Sequence, residues 1–187
     1  MTHILEAMTR IPRRLSIAFA ILAVLAGAFA PTGYGAAPRR SVGPSAHALL
    51  ASKELWATID ICNPPDQRDT VGIRGSMPGD GQGHDGMYMR FALQYRDPSN
   101  RQWLELAGAS SPGFAYVGGG GSPRQGGWSF RLRPRRPVFT MRGVVTFQWR
   151  HGTSVIATGY RTTTAGRESL GGVADPAHFS AATCLVG

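Results

Sequence analysis

The chain has 187 residues, 42% of them hydrophobic, and 20 basic side chains stand against 11 acidic ones for a formal charge of +9. That is enough apolar content for one domain with a real core. Two cysteines, with no second pair of ligands beside either, exclude a cysteine-built zinc site.

Arg10, Arg13 and Arg14 precede an uninterrupted apolar run from Leu15 to Ala30, and small, turn-forming residues follow from Pro31 to Ala37. Basic, then apolar, then small is the order of a secretory signal. The run falls short of the ~20 residues that a stable membrane-crossing helix needs. Residues 1–37 are therefore expected to be a signal peptide. Pro31 follows the Ala28-x-Ala30 cleavage pattern and is a poor residue there, which leaves retention as an N-terminal membrane segment open. Without these residues 17 basic and 10 acidic side chains remain, a charge of +7, and every basic one except Lys53 is arginine. The ratio of arginine to lysine suits a GC-rich genome, while the net charge suits affinity for anionic polymers.

Residues 38–52, rich in Pro, Ser and Ala without a sustained period, read as a linker. From residue 53 to residue 187 the dominant period is two. Leu55, Ala57, Ile59 and Ile61 alternate with Trp56, Thr58, Asp60 and Cys62 before Pro64-Pro65 ends the strand. A second short strand covers Thr70 to Arg74. Met87, Met89, Phe91, Leu93 and Tyr95 then form an apolar face against Tyr88, Arg90, Ala92, Gln94 and Arg96. Asp97-Pro98-Ser99-Asn100 is a turn, and Arg101 to Ala107 returns as the hairpin partner. Trp128, Phe130 and Leu132 share one face of a further strand, and Val145, Phe147 and Trp149 one face of the next. His151-Gly152 turns into Thr153–Thr164, and His178 to Cys184 is read as the last strand. About eight strands without a long helix predict an all-β fold, an antiparallel sandwich.

Cys62 and Cys184 lie near the two ends of this domain, and in an exported chain an isolated pair is expected to be a disulfide. The stretch Arg142-Gly143-Val144-Val145-Thr146-Phe147-Gln148-Trp149-Arg150-His151-Gly152 resembles a penultimate strand and final hairpin of immunoglobulin-like sandwiches, including the fibronectin-type variants of exported bacterial proteins. That resemblance implies an architecture and brings no functional residues with it. It departs from antibody domains, whose bridge joins two central strands.

Gly81-Gln82-Gly83-His84-Asp85-Gly86 spells G-x-G-x-x-G, but a strand follows it, so no helix N-terminus is available to a pyrophosphate. Asp80, His84 and Asp85 in the same loop lack the regular oxygen spacing of a calcium site, and no metal or cofactor is expected. No G-x-S-x-G elbow occurs, and His47, His84, His151 and His178 are scattered. Among the tryptophans, Trp128 and Trp149 read as core, Trp56 as surface, and Trp103 as ambiguous. Gly118 to Gly121 reads as a mobile loop.

The charge feature that stands out is Arg131, Arg133, Arg135 and Arg136, four guanidinium groups within six residues, suited to phosphate and carboxylate groups. Its other reading is that charge and proline protect a sheet edge. The expected function is an exported, non-enzymatic binding or structural module of the cell envelope or extracellular space, contacting an anionic envelope polymer or a protein partner. No nucleic-acid partner and no membrane span in the mature domain are expected. The alternative is a secreted hydrolase with a loop-built site.

Overall fold

Met87, Met89, Phe91 and Leu93 are each at most 1% exposed, and so are Val145, Phe147 and Trp149. The two sets meet because strands β3 (Gly86–Arg96) and β7 (Phe139–His151) pair antiparallel, Met89 opposite Phe147 and Phe91 opposite Val145. A period of two places alternate residues of each strand on one face, so a single register brings all these apolar side chains together. The computed structural model describes residues 43–133, 138–167 and 174–187.

Around this ladder lies a sheet in the order β4-β3-β7-β8, with β4 (Trp103–Ser110) and β8 (Ser154–Thr162) outside. The short strands β5 (Ala115–Gly119) and β9 (Cys184–Val186) pair with β3 and β7, making six strands in all. The second sheet has the order β1-β2-β6, from β1 (Trp56–Cys62), β2 (Thr70–Met77) and β6 (Arg124–Arg131). Every strand pair in both sheets is antiparallel. The sheets face each other over Ile59, Val71, Ile73 and Phe130 on one side and the β3–β7 apolar set on the other. They approach so closely at Gly143 that an added Cβ would stand 2.6 Å from Ile73 Cδ1. The expected all-β sandwich is present.

The chain between 174 and 182 crosses the open edge of β1. Ile59 and Ala181 exchange both backbone hydrogen bonds, the Asp175 amide donates to the Asp60 carbonyl, and Thr58 Oγ1 lies 2.7 Å from Ser180 Oγ. The edge of β1 is covered from Thr58 to Ile61 by this segment; Trp56, expected at the surface, is instead 9% exposed. β1 and β2 share a buried polar pair. Asp60 and Arg74 are 5% and 3% exposed, with Arg74 Nη1 3.8 Å from Asp60 Oδ2. Burial raises the Asp60 pKa above the usual carboxylate value, and the Arg74 charge opposes that rise. Trp128 corrects in the other direction: β6 is an edge strand, one side of the ring stays open, and the residue is 37% exposed.

The disulfide joins Cys62 to Cys184 across 122 residues, linking β1 of one sheet to β9 of the other. The last strand is thus Cys184–Val186, and His178 sits in a turn with φ 66°. At the other end, residues 46–51 of the expected linker form helix α1 (Ala46–Ala51), N-capped by Ser45 and anchored by Leu49, 2% exposed. Leu49 and Leu55 both belong to the core, so packing starts before residue 53. No helix among the described residues is long and apolar enough to cross a membrane. Residues 1–37, with the expected signal, lie outside the described residues.

Two outcomes follow for denaturant unfolding. Replacing Cys62 and Cys184 by Ser should lower stability by up to about 4–5 kcal/mol, the entropy of opening so long a loop. Replacing Arg74 by Met, which leaves the Asp60 carboxylate buried without its cation, should cost about 3–5 kcal/mol. An Arg74→Met protein as stable as the parent would show that the Asp60–Arg74 pair adds nothing net to stability.

Candidate functional site

Three groups of polar side chains stand out from this framework. The first is the one the sequence singled out. Arg131 ends β6, opposite Thr70, and both Arg131 and Arg133 are exposed. They border a depression of about 370 Å³ whose apolar floor includes Leu106, Leu132, Met141 and Val186. Arg135 and Arg136 lie outside the described residues. Since β6, among the described residues, has a pairing neighbour on one side only, the edge-protection reading has a structural basis alongside the ligand reading.

The second group is the outward face of the six-stranded sheet. The register that buries Met89 and Phe147 turns the alternate residues outward. Tyr88 stands beside Gln148 and Tyr116, Arg90 beside Thr146, Thr146 beside Tyr160, and Gln94 beside Arg142 and Glu105. Tyr116 and Tyr160 are 62% and 68% exposed. Two of the arginines are held in place. The Arg142 guanidinium lies 4.3 Å from the centre of the Trp103 ring, and its Nε donates to Gln94 Oε1 at 2.8 Å. Arg150 lies 4.3 Å from the Tyr88 ring centre and 5.1 Å from that of Phe114, and donates from Nε and Nη2 to Gln148 Oε1. Partial burial lowers the Arg142 pKa from its ordinary value. It stays protonated at neutral pH all the same. The face is thus a flat array of aromatic planes, amides and fixed cations, with Glu105 toward one margin.

The third group caps the end of the β3–β7 ladder, beyond Met87 and Trp149. Asp85 precedes β3 and His151 ends β7, so the pairing of Gly86 with Arg150 brings them together. His151 Nδ1 lies 2.6 Å and His84 Nε2 3.4 Å from the same oxygen, Asp85 Oδ1. The two imidazole rings meet edge to face, 5.1 Å between centres. Both rings are exposed, whereas Asp85 and Asp80 are 6% and 4% exposed. Asp80 Oδ1 accepts from the Gln82 amide at 2.8 Å, while Asp80 Oδ2 is buried with no N–H or hydroxyl donor against it and the carboxyl is within hydrogen-bonding reach of that of Asp85. Burial raises the Asp80 pKa, as does the neighbouring Asp85 carboxylate, and the hydrogen bond from Gln82 opposes the rise. Gly120 is packed on Asp80, and its amide donates to the Asp85 carbonyl at 2.8 Å.

The sequence named Asp80, His84 and Asp85 together and left His151, 66 residues away from Asp85, as a turn residue. Only the register of β3 on β7 unites them. The outward face was legible as a set of alternating polar positions, but not which side chains would be neighbours. The glycine run partly belongs to β5, whose Gly118 and Gly119 pair with Met87 and Gly86. The G-x-G-x-x-G stretch leads into β3, and the cysteines are consumed in the disulfide.

No family model matches the sequence, and no curated protein is similar to it. Among solved structures, the chain is similar to the sporulation control protein Spo0M of Bacillus subtilis at a TM-score of 0.29 and 11% identity. That match spans 58% of this chain and 47% of the other.

Replacing Gly120 by Ala should destabilise the domain by about 1–3 kcal/mol, because the new methyl would meet the Asp80 carboxylate. Thermal melting at neutral pH reads this. A melting point equal to the parent's would mean that Asp80 has room to move away.

Proposed function

We propose that this chain is an exported, non-enzymatic binding module that holds an anionic polymer of the cell envelope or extracellular space across the outer face of its six-stranded sheet. The observation that carries the proposal is the fixing of Arg142 and Arg150 on aromatic rings of that face, with Tyr116 and Tyr160 exposed beside them. Stacking limits the rotamers an arginine must give up when it meets a carboxylate or phosphate. Exposed aromatic planes offer apolar area to a sugar ring while the guanidinium groups take the acidic substituents. The excess of basic residues steers such a polymer from a distance. Arg131 and Arg133 add a separate positive patch on the β6 edge of the other sheet.

Export is supported by the disulfide, which persists in oxidising compartments. The immunoglobulin-like connectivity is supported by the strand order. On this reading β1, β2 and β6 would correspond to strands A, B and E, and β3, β7 and β8 to C, F and G, with β4 beside β3 as an added edge strand.

Co-sedimentation of the full chain with an insoluble acidic polysaccharide, at low and at high salt, tests the proposal. Binding should weaken with salt, and roughly tenfold when Arg90, Arg142 and Arg150 are replaced together by Ala. The Arg131→Ala, Arg133→Ala double variant should lose less. Binding absent at low salt, or unchanged in the triple variant, would remove the assigned face. New reducing ends released from the polymer would favour the hydrolase instead.

A further inference from the structure

We propose that His84, Asp85 and His151 form a binding site for a divalent transition-metal ion of the zinc type, with the Asp80 carboxylate beside it. Three donor atoms, one from each residue, lie within 4.8 Å of one another. Two imidazole nitrogens and a carboxylate oxygen are a common zinc donor set, and one that calcium, which takes six to eight oxygens, does not favour. Ligands about 2.1 Å from a tetrahedral ion stand roughly 3.4 Å apart. The 3.4 Å from His84 Nε2 to Asp85 Oδ1 has this spacing, and the 2.6 Å from His151 Nδ1 is a hydrogen bond that an ion would replace, releasing its proton.

A second observation is independent of the histidines. Asp80 Oδ2 is buried with no N–H or hydroxyl donor against it, and its carboxylate lies within hydrogen-bonding reach of that of Asp85. Two adjacent buried carboxylates repel, and the costs of burial and repulsion both fall when a cation joins them. The backbone is built for this approach: the Gly120 amide binds the Asp85 carbonyl while its missing side chain makes room for Asp80. Because the His84 and His151 side chains are 64% and 66% exposed, an ion held there keeps positions open to water or to an anionic ligand.

The site is distinct from the arginine–aromatic face, and its test does not depend on polymer binding. The probe is Zn2+, titrated calorimetrically into the full chain without a histidine tag, with Co2+ absorption as a spectroscopic check of nitrogen ligation. One equivalent should bind and raise the melting temperature. His84→Ala and His151→Ala should each weaken binding at least about tenfold; His84→Ala should change apo-protein melting little, whereas His151→Ala also removes a hydrogen bond to the buried Asp85 and should lower it somewhat. Asp80→Asn should leave the apo protein as stable or more stable while weakening Zn2+ binding, opposite signs that a purely structural residue would not give. His47→Ala should bind as the parent does. Absence of Zn2+ binding, parental affinity in His151→Ala, or stabilisation by Ca2+ but not Zn2+ would each overturn the assignment.

Discussion

Strands β3 and β7 run side by side from the Gly86–Arg150 pair to the Tyr95–Met141 pair, and this register determines three separate features at once. Its inward positions are the centre of the core. Its outward positions are the arginine–aromatic face. Its end brings Asp85 against His151. A slip of one residue would exchange the faces, setting Phe147 and Trp149 in solvent and driving Gln148 and Arg150 into the apolar layer. Burial of the aromatic and methionine side chains, each contributing roughly 1.5–3 kcal/mol, therefore holds the functional candidates in place without contacting any ligand.

The smaller sheet depends on a different device. With three strands it has little area to seal, and its outer face carries Thr58, Asp60, Arg74 and Ser76, all buried. Polar groups in such a layer must be hydrogen-bonded or paired. The C-terminal segment meets part of that demand: Thr58 Oγ1 bonds Ser180 Oγ, and Ala181 and Asp175 bond the free main-chain edge of β1. The Cys62–Cys184 bond ties that segment's end to the strand it covers. The bridge thus holds the covering segment near β1, where a three-stranded sheet alone would expose an edge.

Much of this was legible because strict alternation survives wherever one face is wet. Met87–Arg96 and Val145–Trp149 could be read residue by residue, and the disulfide followed from two cysteines in an exported context. The failures have a common cause. Trp56 and Trp128 were assigned from the parity of their own strands, but burial also depends on whether another element covers that face. The segment at 174–182 covers the edge of β1 from Thr58 to Ile61, and among the described residues nothing pairs with the free side of β6. Helix α1 escaped because six residues of Ala, His and Leu carry little periodic signal, and the capping role of Ser45 is visible only with the backbone in view. For the same reason His151 could not be joined to Asp85: the link is a register between strands 66 residues apart in sequence, not a spacing along the chain.

The arginines show how one composition serves two physical ends. A bias toward arginine over lysine, read from sequence, is what a GC-rich genome gives. At Arg142 and Arg150, however, the planar guanidinium lies over an aromatic ring while its N–H groups bond a glutamine, an arrangement that an ammonium on a flexible stem does not reproduce. At Arg131 and Arg133 no such stacking is present among the described residues, and there the charge fits the edge-protection reading as well as the ligand one. The distinction lies in preorganisation. A guanidinium held by a ring and an amide has already lost much of the freedom that ligand binding would remove, so the same charge meets an anion at a smaller entropic cost on the sheet face than on the β6 edge.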